Sequence, residues 1–249
     1  TPLLIKRNKS FTLTAAGKVL YEESRKILEE YQKLVANIKA LSGVIQGEIK
    51  VATIYSIGLY ELNETVKKFM DKYPAIHLDV EFSQSANIYQ DLLEGRIDIG
   101  FVAYPKEHPN INILPFKNDT LILVTHPRHP LAKLKNIAVG RINGLDFIGF
   151  AEDTPSAQAI KAICDKNNIT LKTKMVFDNI ELIKRAVEIN AGVSILPSST
   201  VAQEIEHRLL CGIPFRAVKF FRPLAILLNK NKTLSLAAQK FLENIHAKI

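Results

Sequence analysis

Six histidines and two cysteines are the side chains in this 249-residue sequence best suited to metal or nucleophilic chemistry, and their spacing supports neither. His77, His108, His126, His129, His207 and His246 are scattered. No HExxH places two ligands on one helix face, no GxSxG forms a nucleophile elbow, and no GxGxxG or GxxxxGK makes a phosphate loop. His126 and His129 flank "PR" in a proline-bounded turn and lack a Cys, Asp or Glu at supporting spacing, so they read as surface residues. Cys164 and Cys211 stand singly among apolar neighbours and read as packed core thiols in a reducing cytoplasm. The expectation is a protein with no catalytic set, no metal and no cofactor.

The other chemistry on offer is electrostatic. Lys6, Arg7, Lys9 and Lys18 crowd the first 18 residues with no acid among them, in a chain of net charge +8, which suits a polyanionic partner. "LLIKR" and "FTLT" read as strands around a turn at Asn8 and Lys9. Such a hairpin is too small to be stable alone, so the chain is expected to begin inside a domain. From Thr14, whose hydroxyl can cap a helix, to about Ser42 no proline intervenes. Leu20, Ile27, Leu34 and Leu41 recur every seven residues, with Tyr31 and Ile38 between them, as an a/d seam. A helix of about 42 Å outreaches one small domain and implies a partner helix. Ser42, Gly43 and Gly47 suit a flexible joint.

Along the rest of the chain the elements that must position any site alternate between strand and helix. The apolar share of 47% and charged share of 23% suit a soluble globular protein, with no run of roughly 20 apolar residues to enter a membrane and no secretory leader. Strands at 48–54, 76–83 and 98–103 and helices at 58–74 and 87–95 make a βαβαβ unit with a parallel sheet. Right-handed crossovers place a ligand at the strand ends, near Tyr55 and Ser56, Gln84 and Ser85, and Ala103 and Tyr104. A second series follows "TLILVT" (120–125), with strands at 146–151, 171–177 and 193–197 and helices at 156–168 and 179–190. A strand at 224–230 and a helix at 235–249 can return to the first lobe. The fold class is α/β with two lobes, lobe I about 47–124 and 225–249 and lobe II about 125–224, joined by crossings near 125 and 224 around a hinged cleft.

"LLIKRNKSFTLTAAGKVLYEESRKIL", "KKFMDKYPAIHLDVEF", "LLEGRIDIGFV", "HPRHPL" and "INAGVSILPSS" occur in that order. Together they resemble a LysR-type transcriptional regulator over essentially the whole chain. The resemblance implies the wing of a winged helix-turn-helix at 1–13, a dimerising linker helix at 14–43, and a two-lobed, periplasmic-binding-protein-like effector domain at 47–249. It implies that Lys6, Arg7 and Lys9 contact phosphates of double-stranded DNA, and that the seam residues Leu20, Ile27, Tyr31, Leu34, Ile38 and Leu41 pair protomers into a homodimer or homotetramer. It further implies that a small-molecule effector sits between the lobes. The matching positions are Tyr55, Ser56, Ile57, Gln84, Ser85, Val102 and Ala103 from lobe I and Thr125 at the crossing. From lobe II they are Asp153, Thr154, Ser156, Asp178, Asn179 and Ser194. Glu152 and Asp153 stand where a phosphate binder would prefer Arg or Gly, which leaves room for a ligand carrying an amine. A solute-binding protein and a small-molecule enzyme share such a cleft and remain the alternatives.

Overall fold

The computed structural model describes residues 1–7, 10–40 and 45–246. Strands β1 (Leu4–Arg7) and β2 (Ser10–Leu13) pair antiparallel from Leu4 opposite Leu13 to Arg7 opposite Ser10. Lys9 lies outside the described residues. Thr14 joins the hairpin to helix α1 (Ala15–Ala40). Its hydroxyl donates to the Pro2 carbonyl at 2.8 Å and accepts the Gly17 N–H at 2.9 Å, the expected cap. The hairpin lies so close to α1 that a Cβ on Gly17 would come 2.0 Å from the Leu3 carbonyl oxygen. Leu20, Ile27, Tyr31, Leu34 and Ile38 are exposed on α1. Leu41 and the joint residues Ser42 and Gly43 lie outside the described residues.

Lobe I begins with β3 (Gly47–Thr53), α2 (Tyr55–Tyr60), α3 (Asn63–Lys72), β4 (Ile76–Phe82), α4 (Ser85–Leu93) and β5 (Ile99–Ala103). The strands are parallel in the order β4-β3-β5. The one helix expected over 58–74 is two, because the Leu62 N–H reaches back to the Ile57 carbonyl at 3.1 Å, a widened turn that buries Leu62. Alternation along the strands divides the core. Ile49, Val51, Ile99 and Phe101 point to the side covered by α3 and the C-terminal helix, while Ala52 and Val102 point under α4.

The chain continues through β6 (Ile111–Thr125), β7 (Asp146–Phe150), α5 (Pro155–Lys166), β8 (Lys172–Phe177), α6 (Ile180–Glu188), β9 (Ser194–Pro197), α7 (Ala202–Glu206), β10 (Cys211–Ile213), β11 (Phe220–Asn229) and α8 (Leu236–His246). The sequence suggests two separate sheets joined near 125. Instead β6 and β11 are antiparallel neighbours that run through both lobes, and one sheet of order β10-β6-β11-β5-β3-β4, with β9 also on β6, spans them. Within the two-lobed part, β7 and β8 pair apart from it. β6 starts at Ile111 rather than 120; its proline-containing first half is held as strand by β11, and a register shift beside Pro115 accommodates the missing N–H. Leu121 to Val124 already pack in the lobe II core, so the first crossing precedes them. α8 returns to lobe I, where Phe241 meets Phe69 edge-on at 5.0 Å. Among the described residues, no helix is long and apolar enough to cross a membrane.

Candidate functional site

A cavity of about 540 Å³ opens between the lobes at the ends of β3, β4 and β5. Lobe I contributes Ile54, Tyr55 and Ser56 after β3, Ser83 to Ala86 and Tyr89 around the start of α4, and Ala103, Tyr104 and Lys106 to His108 after β5. Lobe II contributes Phe150, Asp153 to Ser156, Asp178 and Ile180, and β11 contributes Arg222. Among the positions singled out in the sequence, Tyr55, Ser56, Gln84, Ser85, Ala103, Asp153, Thr154, Ser156 and Asp178 meet here.

Five others do not line it, each for a physical reason. Ile57 faces the lobe I core from α2, and Val102, one residue out of phase with Ala103, packs under α4. Thr125 is at the lobe II end of β6, buried opposite Cys211 and far along the strand from the crossing. The Asn179 side chain is occupied as the N-cap of α6, accepting the Glu181 N–H at 2.8 Å. The buried Ser194 hydroxyl donates to the Ile148 carbonyl at 2.8 Å and ties β9 to β7.

Arg222 is a buried, charged lining residue that sequence reasoning missed. It is 3% exposed, and its Nη2 donates to the Ser56 hydroxyl at 2.6 Å. Nε is buried and has no hydrogen-bond partner among the described residues. Burial pushes this guanidinium below its ordinary value, while Tyr104, Asp119 and Glu61 pull it back up; it remains a cation at neutral pH. A lone arginine in the apolar run "FFRPLAILL" was the available signal. Ser56, by contrast, is no helix cap: the N-cap position of α2 is Ile54, and no side chain caps it. Tyr104 sits at φ 51°, a costly conformation for a non-glycine residue, next to Arg222. Tyr89 braces the same rim, its hydroxyl accepting the Lys106 N–H at 2.7 Å and donating to the Lys106 carbonyl at 3.0 Å. Thr154 does cap its helix, accepting the Ala157 N–H at 3.2 Å.

The remaining reactive side chains serve the fold. His126 and His129 use Nδ1 to accept the backbone N–H groups of Arg128 and Leu131. Burial raises the thiol pKa of both Cys164 and Cys211.

A model of the LysR substrate binding domain matches residues 42–249. The chain belongs to the LysR family of transcriptional regulators. It is 27% identical over 250 residues to a probable RuBisCO transcriptional regulator of Cyanidioschyzon merolae, covering 98% of this chain and 82% of that protein. To the transcriptional activator CmpR of Synechocystis sp. PCC 6803 it is 26% identical, covering 99% of this chain and 81% of that one. The regulatory domain of CcmR from Synechocystis PCC6803, solved in complex with 2-PG, superposes with a TM-score of 0.75 at 23% identity, over 82% of this chain and 97% of that one.

In this LysR-type regulator the lobes are also joined beside the cavity. Tyr60, at the end of α2, donates its hydroxyl to Glu181 on α6 and accepts from Lys184. Lys184 is 1% exposed and reaches Glu204 at 2.6 Å, Glu181 at 3.1 Å and the Thr200 carbonyl at 3.2 Å. Burial raises the Tyr60 phenol to about 12, helped by its bond to Glu181. For Lys184 burial works downward, but the bonds to Glu204 and Tyr60 outweigh it and the net shift is up.

Proposed function

We propose that this regulator, acting in the cytoplasm, binds a small-molecule effector between its lobes and passes the occupancy to DNA. The carrying observation is the cavity of about 540 Å³ that places a buried, under-satisfied Arg222 opposite exposed lobe II residues; that volume lies in the range of metabolite sites. Tyr55, Ser56, Gln84, Ser85, Ala103, Asp153, Thr154, Ser156 and Asp178 then contact the ligand. The 2-PG complex of the CcmR domain is support from a protein of the same fold. Lys6, Arg7 and Lys9 contact DNA phosphates, and the α1 seam pairs protomers as a homodimer or homotetramer. A thermal-shift screen of metabolites tests the reading, because a ligand at 100 times its Kd adds about 2.7 kcal/mol to stability. A hit is then expected to change DNA affinity in a mobility-shift titration. A hit that stabilises the protein but leaves DNA binding unchanged contradicts the regulatory role.

A further inference from the structure

Arg222 carries a positive charge into a place that gives it few partners. Its Nη2 meets Ser56, but Nε, equally buried, donates to nothing among the described residues. Asp119, directly across the β6–β11 ladder, and Glu61 both favour the charged guanidinium from a distance, but Glu61 pairs with Lys117 at 2.8 Å, and among the described residues no salt bridge joins either carboxylate to Arg222. One Asp119 oxygen accepts the Thr120 N–H at 2.7 Å and the Ser198 hydroxyl at 3.0 Å, and the other accepts the Ser199 hydroxyl. A buried cation with no carboxylate bonded to it is costly, and a guanidinium offers donors in a fork that fits two oxygens of one oxyanion. The unmet Nε donor beside Ser56 suits a compact acidic group.

The opposite wall has the reverse sign. Asp153 and Asp178 both line the cavity from lobe II and are exposed. On the rim, Lys106 and Glu107 are neighbours of opposite charge and leave no net field of their own. A ligand with a second acidic end would face two carboxylates, whereas a cationic end would pair with them. Ile54, Phe150 and Ile180 supply apolar wall between the two poles.

Resting on the reading of the cavity as the effector site, we infer that its occupant is a small zwitterion. Its oxyanion head lies on Arg222 and Ser56, and its ammonium end faces Asp153 and Asp178.

The test measures affinity by calorimetry for ω-amino acids of four to eight carbons, each against the dicarboxylate, monocarboxylate and monoamine of the same length. At one length or more, the ω-amino acid is expected to bind at least about tenfold tighter than all three counterparts, the size of one charge-assisted contact. Asp153→Asn combined with Asp178→Asn, both at exposed positions, should erase its advantage over the dicarboxylate. Arg222→Lys and Ser56→Ala should weaken every carboxylate while leaving the monoamines unchanged; Ser56→Ala keeps the test open should Arg222→Lys fail to fold. A dicarboxylate that binds better than its ω-amino acid at every length overturns the zwitterion and leaves the ligand cavity standing. So does binding by none of these probes when the wider metabolite screen yields a ligand. Failure of both the probes and the screen overturns both readings.

Discussion

Thr154 and Ser56 are both hydroxyl residues at the mouths of helices facing one cavity, and their hydrogen bonds assign them different work. Thr154 satisfies the start of α5 through the Ala157 N–H and the Ala151 carbonyl. Thr154→Ala is therefore expected to cost about 1 kcal/mol of stability in a urea titration, the usual worth of an N-cap. Ser56 caps nothing and holds Arg222 instead. The sequence could place both at strand-to-helix junctions because alternating apolar runs mark where strands end. It could not separate cap from contact, since Ser and Thr do either. Nor could it find Arg222, whose burial depends on β6 lying beside β11, a pairing between segments about a hundred residues apart. Val102 shows the finer limit. It and Ala103 are adjacent and equally apolar, and only the pleat decides which one reaches the ligand side.

At the level of elements, α2 links two sites: Tyr55 and Ser56 at its start line the cavity, and Tyr60 at its end enters the polar network on lobe II. That network is sensitive to alkali. A phenol whose folded pKa is raised from near 10 to about 12 stabilises the fold fully below about pH 10 and loses that contribution as pH climbs through about 12. Lys184, also raised, acts in the same sense. Stability measured by urea titration should fall across this window, and Tyr60→Phe, which has no proton to lose, should flatten the fall. Helix α1 is the opposite case, with its apolar residues exposed: Leu34 is 56% exposed and Ile27 is 69% exposed. Leu34→Lys should place a charge in the seam and shift the protein toward monomer in sedimentation. An unchanged dimer would mean that the two-lobed domains hold the pair. Seven-residue spacing made α1 legible, whereas the division between α2 and α3 was not, because no glycine or proline marks it and burial of Leu62 decides it.

Across the whole molecule, one strand pair runs through both lobes, and a basic hairpin precedes a long helix. β6 and β11 run side by side through both lobes, and the cavity opens between the lobes they join. α1, about 39 Å long at 1.5 Å per residue, follows the hairpin and touches lobe I where Arg25 donates to the Gly95 carbonyl at 3.4 Å. Close packing of Leu3 over Gly17 and the bonds of Thr14 to Pro2 and Leu3 fix the hairpin to the helix, so its charges move with α1. Lys6 lies on β1 and is exposed, and Arg7 ends that strand at the turn. Basic residues on such a hairpin suit the DNA backbone, whose repeating phosphates set position and salt dependence without reporting base identity. Replacing Lys6, Arg7 and Lys9 together by alanine is expected to weaken binding to all sequences alike. It should also lower the slope of log affinity against log salt by about 3 per protomer, one unit for each phosphate that is no longer neutralised. Titrating DNA at several salt concentrations, with a preferred site and a scrambled one, reads both quantities. A preferred sequence that changes while the slope stays fixed would assign these residues to base edges instead of phosphates.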